Sequence, residues 1–305
     1  MNASLANVTI RVPATTANLG PGFDCLALAL DLWSEAAFIL EGQGIQVKVQ
    51  GEGCGLLPTD DRNLVARAAM RLYQSVGAKL PEGMLICCKN HIPIGAGLGS
   101  SAAAIIAGLV GANALLGQPA SQDDLLRLAT AMDGHPDNVA AALLGGLTLV
   151  TICGEGVLAR RLRVGPLIVA VAVPAIHLPT QVARAALPRE VPLSDAVFNI
   201  GRTAFVIEAL RNGDLTLLSK VMDDRLHQPY RLKMIPGAEE AITAARKAGA
   251  IAVALSGAGP SIIAYAPPEV QGSAIAEAMV SAFANVNVQA RGLVLNLSEK
   301  GSYIE

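Results

Sequence analysis

Between Ile45 and Gln50 apolar and polar residues alternate without a break, with Ile45, Val47 and Val49 facing one way and Gln46, Lys48 and Gln50 the other. A period of two predicts a half-buried strand. Val8–Val12 and Leu85–Lys89 predict two more strands, and the apolar runs Leu147–Ile152 and Leu167–Val173 predict buried ones. Elsewhere the period lengthens. Asn63–Val76 sets Leu64, Ala68 and Leu72 on one helical face and stops at Gly77. Ser121–Met132 predicts a second helix, opened by a capping box of Ser121 with Asp124. A glycine-rich turn after Leu85–Lys89 leads into an Ala-rich helix, Ser100–Leu116. In the second half, helices are expected near Thr180–Leu187, Ala196–Arg211 and Ala238–Gly249. Short strands are expected around Ala252–Leu255, Ile262–Ala266 and Leu293–Leu297. The class that emerges is α+β, with helices covering mainly antiparallel sheets. The polar, Gly-containing stretch Cys153–Arg163 is the best junction, giving domains 1–153 and 154–305. Neither a repeat nor a low-complexity segment stands out.

Ile92–Gln122 contains no charged residue, a length that could span a bilayer. Pro93 and Pro119 bracket it, glycines crowd its first part, and Asn113 interrupts the rest, so a buried central helix is the expectation. Composition agrees. The 305 residues are 52% apolar and only 16% charged, with Ala and Gly prominent and aromatics few, which describes a tightly packed α/β-type chain. The net charge of −2 and the absence of any dense Lys/Arg run argue against a nucleic-acid partner. Five scattered cysteines without C-x-x-C spacing indicate neither a disulfide framework nor a zinc site. The N-terminal residues lack the basic start and long apolar stretch of a secretory signal. A reducing cytoplasm is the expected compartment.

The candidate chemistry lies in Pro93-Ile-Gly95-Ala-Gly97-Leu98-Gly99-Ser100-Ser101, set between a strand and a long helix. Glycines permit positive φ and close approach of a ligand. The free N–H groups and dipole of the following helix favour an anion. Two hydroxyls add donors suited to phosphate or Mg²⁺. A Walker A loop would end in Gly-Lys-Ser/Thr, and no lysine follows here. The dinucleotide fingerprint needs G-x-G-x-x-G and a later acid, whereas the spacing here is G-x-G-x-G and the region near Gly117–Gln118 has none. A nicotinamide enzyme is therefore disfavoured. Taken alone, the segment could also serve only tight strand–helix packing.

Two further segments accompany it. Pro13-Ala-Thr-Thr-Ala-Asn18-Leu-Gly20-Pro-Gly22-Phe-Asp24 lies near the N-terminus, and Ser256-Gly257-Ala-Gly259-Pro-Ser261 near the C-terminus. Together the three resemble, in order and spacing, the three motifs of the GHMP kinase family, and the resemblance covers nearly the whole chain. It implies the family's two-domain α+β fold, a ribosomal-protein-S5-domain-2-like N-terminal domain followed by a ferredoxin-like C-terminal domain. It also implies ATP and Mg²⁺ as cofactors. The nucleotide would meet Pro93, Gly95, Gly97, Leu98, Gly99, Ser100 and Ser101, with Gly257 and Gly259 across from them and Asn63 and Lys89 near the adenine. Asn63 and Lys89 could equally be ordinary surface.

Gly134-His135-Pro-Asp137-Asn138, Thr180 with Arg184, and the His227–Arg231 segment resemble the homoserine kinase branch. By that resemblance Asn18, Asp24, His135, Thr180, Arg184 and Arg231 bind the amino acid, and Asp137 and Asn138 act at its hydroxyl. The expected product is O-phosphohomoserine, on the route to threonine. The chemistry is consistent: a carboxylate suits guanidinium groups, an ammonium suits Asp24 and Asn18, and phosphoryl transfer is mostly positioning and charge stabilisation. Relatives often carry Glu as metal ligand where this chain has Asp133; Asp133 with Ser101 is the expected pair. Plain alternatives stay open. His135 could only cap or orient the Asp137 turn, Asp137 could be structural, and the arginines could be surface charges. His91, His177 and His227 lack metal-ligand spacing and receive no role. A kinase for mevalonate or another alcohol, or a ligand-binding homologue without catalysis, are the competing functions. Homodimers are frequent in the family, so a homodimer is also expected.

Overall fold

The computed structural model describes residues 7–154 and 156–305. The first residues of the N-terminal stretch considered above as a signal lie outside this range. In chain order the elements are β1 (Asn7–Ala17), β2 (Leu26–Ile39), β3 (Gly44–Gly51), α1 (Leu64–Ser75), β4 (Gly83–Asn90), α2 (Ser100–Leu115), α3 (Gln122–Asp133) and α4 (Pro136–Leu144). Then come β5 (Leu147–Cys153), β6 (Gly156–Leu162), β7 (Ile168–Pro174), α5 (Thr180–Ala185), α6 (Leu193–Asn212), α7 (Leu215–Val221) and α8 (Gln228–Arg231). A 3-10 turn, α9 (Ala238–Lys247), β8 (Ala252–Leu255), β9 (Ile262–Ala266), α10 (Gly272–Ala284), β10 (Ala290–Leu295) and β11 (Tyr303–Ile304) complete the chain.

Two sheets organise these elements. The first runs β11-β1-β2-β4-β3, with β5 on β2 and β6 on β5, and all its pairings but β3–β4 are antiparallel. β2 is long enough to serve two neighbours: Glu35–Ile39 pairs with β4, and Leu26–Leu28 with β5. The second sheet is antiparallel, β10-β7-β9-β8. The expected junction at residues 153 and 154 falls inside the β5–β6 hairpin. The first sheet therefore continues to Leu162, because β6 satisfies the free edge of β5. The chain end also returns to the first sheet through β11.

β7 joins the layers. Val169, Val171 and Val173 belong to the core shared with the first sheet, while Ala170 and Ala172 face the core under α9 and α10. This follows from the two-residue period of a strand. The uncharged segment forms α2, a 16-residue helix buried around most of its circumference. Its Gly108 lies against Val65 and Ala68 of α1, and its Gly111 against Phe38 of β2, so no larger residue fits at either place. Among the described residues no helix is long and apolar enough to cross a membrane.

Candidate active site

Backbone conformation brings the three glycine-rich segments together. Asn18, Leu19 and Asp24 all take positive φ, as do Gly20, Gly95, Gly97, Gly99, Gly257 and Gly259. Non-glycine residues held there are costly and are retained when their surroundings fix them. Asn18 shows how: its Oδ1 accepts from the Asp24 N–H at 3.0 Å and its Nδ2 donates to the Gly257 carbonyl at 2.8 Å. Ser256 Oγ lies 2.7 Å from the Gly97 carbonyl and 2.9 Å from Thr16 Oγ1, linking all three segments through one hydroxyl. The Thr15 N–H donates to the Leu98 carbonyl. A Cβ on Gly97 would overlap the Ser256 carbonyl, and one on Gly99 would overlap Thr15.

These contacts enclose a cleft of about 480 Å³. Gly95, Gly97, Gly99, Ser100 and Ser101 form one wall, Gly257 and Gly259 another, and Asn18, Asp24, Asp133, His135, Asp137, Asn138, Thr180, Arg184 and Arg231 the rest. α1 and α3 have side-chain caps, from Asn63 and from Ser121 with Asp124. α2 starts at Gly99 with no side-chain cap. Its N-terminus is thus available to an anion in the cleft.

A second, mostly apolar cavity of about 290 Å³ adjoins the first and shares Gly95, Ser100 and Ser101 with it. Val12, Ala36, Leu57, Val65, Cys88, Ile94 and Ala103 line it. Asn63 also lines it, although its amide is engaged at both ends: Oδ1 accepts from the Val65 N–H and Nδ2 donates to the Pro58 carbonyl. Three of the expected nucleotide residues are not gathered in. Lys89 lies on the opposite face of β4 from Cys88 and Asn90, which line the cavity, and its ammonium lies 3.5 Å from Glu35. Pro93 borders a separate cleft with Ile176 and His177. The Leu98 side chain is wholly buried in the first core, so only its backbone serves the loop.

Six ionisable side chains set the electrostatics. Arg184 and Asp24 form a two-pronged ion pair, at 2.6 and 3.0 Å. Arg231 is 1% exposed, which removes the reading of it as a surface charge. Its contacts are neutral: the Ala183 carbonyl, the Gly257 carbonyl and His227 Nδ1, at 3.3–3.4 Å. Burial, then repulsion from Arg184, lowers its pKa to about 10. Asp137, at the start of α4, is pushed up to about 7, first by burial and then by Asp24. Its Oδ1 accepts from the Asn138 N–H at 2.7 Å, and Asn138 Oδ1 accepts from Thr15 Oγ1 at 2.7 Å. Burial raises the Asp133 pKa, while the Ser101 hydroxyl, donating at 2.9 Å, opposes that rise. Burial and the nearby Arg184 lower the pKa of His135. His135 occupies the N-cap position of α4, but its side chain makes no capping hydrogen bond.

Sequence reasoning passed over several contributors. Thr15, Thr16 and Ser256 are buried polar residues that hold the segments in register. Asn199 and Thr203 of α6 both donate to the Pro21 carbonyl, fixing the back of the Asn18–Asp24 loop. His227 is fully buried beneath Phe23. A polar residue inside an apolar run was the available signal for Thr15 and Thr16; His227 had none.

The cleft can hold a polyanion at α2, a hydroxyl near Asp137 and a small zwitterion between Asp24 and Arg231. Residues 63–146 match the family model for the GHMP kinase N-terminal domain, and residues 206–285 the model for the GHMP kinase C-terminal domain. The chain is 47% identical to a homoserine kinase of Moorella thermoacetica, covering 92% of this chain and 94% of that one. It is 42% identical to a homoserine kinase of Carboxydothermus hydrogenoformans, covering 97% and 96%. The crystal structure of a homoserine kinase from Cytophaga hutchinsonii superposes with a TM-score of 0.89 at 30% identity, covering 100% of this chain and 99% of the other. At these identities and coverages the chain belongs to the GHMP kinase family, in its homoserine kinase branch.

Proposed function

We infer that this chain transfers the γ-phosphoryl group of ATP to the hydroxyl of homoserine. The observation that carries the substrate is Arg231, a buried guanidinium that borders the cleft and meets only neutral acceptors. A buried cation is costly unless it is paired, and a carboxylate entering the cleft supplies the partner. Asp24 receives the substrate's ammonium on the lone pairs that Arg184 leaves free. Asn18, whose amide is engaged at both ends, shapes this loop rather than acting as a second acceptor. Thr180 and His135 border the same space.

The phosphates of ATP lie against the glycine-rich loop and the uncapped start of α2, and the adenine occupies the apolar cavity beside Asn63. Asp137 faces the hydroxyl, and Asn138, held by Thr15, keeps Asp137 in place. With a pKa of about 7, Asp137 can accept a proton at neutral pH as the oxygen–phosphorus bond forms. Among the described residues no group of three or more His, Cys, Asp or Glu could hold a metal alone. Asp133 and Ser101 suit Mg²⁺ nonetheless, since that ion is commonly bound by one or two protein oxygens together with substrate phosphates and water. When bound, it would neutralise charge on the phosphates.

Release of ADP measured with homoserine, mevalonate, galactose and shikimate tests the reading. Turnover with homoserine at least a hundredfold above the other three is expected, and equal or greater turnover with mevalonate overturns it. We also propose a homodimer, supported by the exposed apolar residues Leu193, Val197, Ile200 and Phe205 along α6. Light scattering after size-exclusion chromatography decides this, and a monomeric mass at micromolar concentration refutes it.

A further inference from the structure

His227 makes two contacts through the two nitrogens of one ring. Its Nε2 lies 2.8 Å from the Gly20 carbonyl oxygen, and its Nδ1 lies 3.3 Å from Arg231 Nη1. A carbonyl only accepts and a guanidinium only donates. The two neighbours together therefore fix a neutral imidazole with its proton on Nε2. Burial pushes the pKa of this ring down, in the same direction. Asp224 Oδ2 is 3.6 Å from Nε2, but it accepts from the backbone N–H groups of His227 and Gln228 at 3.0 and 2.6 Å. The ring also stacks on Phe23, with centroids 5.1 Å apart and planes 21° apart. Gly20 and Phe23 belong to the loop that carries Asp24. Arg231 stands four residues beyond His227, and so on the same side of the turn that α8 makes.

We propose that His227 is a positioning residue for the amino-acid substrate: its Nδ1 lone pair sets the Arg231 fork while its Nε2–H pins the loop that presents Asp24. One rigid ring thereby fixes the distance between the cation that takes the substrate's carboxylate and the anion that takes its ammonium. The proposal rests on the reading of Arg231 given above. Arg231 has two further acceptors, the Gly257 and Ala183 carbonyls at 3.3 and 3.4 Å, but Nδ1 is the one side-chain acceptor among the three. Without Nδ1 the long side chain would retain its charge but lose its aim.

Two substitutions divide the two contacts. In His227→Gln the amide nitrogen can replace Nε2–H, but nothing replaces Nδ1. In His227→Asn the amide oxygen can replace Nδ1, but the Gly20 contact is lost. Steady-state kinetics in both substrates should show His227→Gln raising the homoserine KM about tenfold, the scale of one hydrogen bond to a charged group. The ATP KM should stay within about twofold. His227→Asn keeps the aim of Arg231 and frees only the Asp24 loop, so it should raise the homoserine KM by about threefold, the scale of one neutral hydrogen bond and less than His227→Gln. In an Arg231→Ala background His227→Gln should add nothing further to the homoserine KM. Equal effects of Gln and Asn, a parallel rise of both KM values, or full multiplication in the double variant overturns the proposal. If Arg231→Ala itself leaves the homoserine KM unchanged, the reading of Arg231 fails and this proposal with it. If Arg231→Ala raises it and His227→Gln does not, only the present proposal fails. Should His227→Gln not fold, His227→Asn decides: a homoserine KM raised by only about threefold supports the proposal, and one unchanged, or as high as that of Arg231→Ala, refutes it.

Discussion

Arg184 grips Asp24 with both prongs of its guanidinium, Nη2 to Oδ1 at 2.6 Å and Nη1 to Oδ2 at 3.0 Å, joining α5 to the N-terminal loop across 160 positions of sequence. The two arginines expected to share the substrate's carboxylate are thereby unequal. Arg184 has spent its fork on an internal anion, and Arg231 has not. Arg231→Ala should therefore raise the homoserine KM well above tenfold, since losing a buried charge-assisted contact costs on the order of 2–5 kcal/mol. The ATP KM should hardly move. Arg231→Lys should rescue only in part, because a point charge does not reproduce the fork. Arg184→Ala also releases Asp24, so it should raise the homoserine KM and lower kcat together. Kinetics showing Arg184 dominant and Arg231 silent would reverse this assignment.

The glycines of the phosphate-facing loop separate by what lies opposite them. A Cβ on Gly97 would overlap the Ser256 carbonyl, whereas one on Gly95 meets nothing within 4 Å. Gly97→Val should thus damage the junction of the three segments as well as any ligand site, lowering Tm and nucleotide affinity together. Gly95→Ala has room and loses only the freedom of a positive φ, a cost of about 1–2 kcal/mol. Its nucleotide affinity should fall no more than about tenfold. Calorimetry and thermal melts on both variants check this, and an unchanged Tm in Gly97→Val would contradict it.

Burial raises the pKa of Asp133, which ends α3, where the helix dipole is negative. A carboxylate held there among negative partial charges suits a cation. Asp133→Asn should raise the Mg²⁺ concentration needed for half-maximal activity at least tenfold. The homoserine KM at saturating Mg²⁺ should change less than about threefold. Titration of activity against Mg²⁺ measures it, and an unaltered requirement would remove Asp133 from the metal site.

Local pattern made β1, β3, β4, α1 and α3 legible, because each presents one face to a core and one to solvent or to a cap. β2 was not read at all. Its first half, Leu26–Leu30, is wholly buried, so the alternation that marks a strand is absent. α10 escaped for a similar reason, being apolar around most of its surface, and α4 was hidden inside a segment read only as a motif. The site shows the same division. Glycines needed for positive φ stand out in any sequence, and so do Asp24 and Asp137 beside them. The distinction between Arg184 and Arg231, and the place of His227, arise from contacts between segments about 50 to 210 residues apart. The exposure of Lys89 depends on strand parity, which could have been counted from Cys88.

Asp137 links function to stability with opposite signs. Its pKa is about 7 in the fold against 3.8 ordinarily, with burial the first cause and Asp24 the second. The fold thus favours the protonated form. The stability this contributes is complete below about pH 3.8 and is lost as pH rises to about 7. Above that, the protein holds a buried carboxylate, at a cost of a few kcal/mol, since each tenfold shift is worth ~1.4 kcal/mol. Asp137→Asn keeps the shape and removes the charge. Its Tm should exceed that of the wild type at pH 8.5 and match it near pH 4. Its kcat should fall at least a hundredfold, within the usual range for a lost general base. The wild-type kcat/KM for homoserine should climb with pH and level off above about 7, as Asp137 gives up its proton, and the residual activity of Asp137→Asn should lack that climb. If the variant keeps the same acidic limb, another group is titrating and Asp137 only orients the hydroxyl. If its Tm at pH 8.5 falls below that of the wild type, the carboxylate is paired more strongly than burial destabilises it, and the pKa of about 7 is itself wrong.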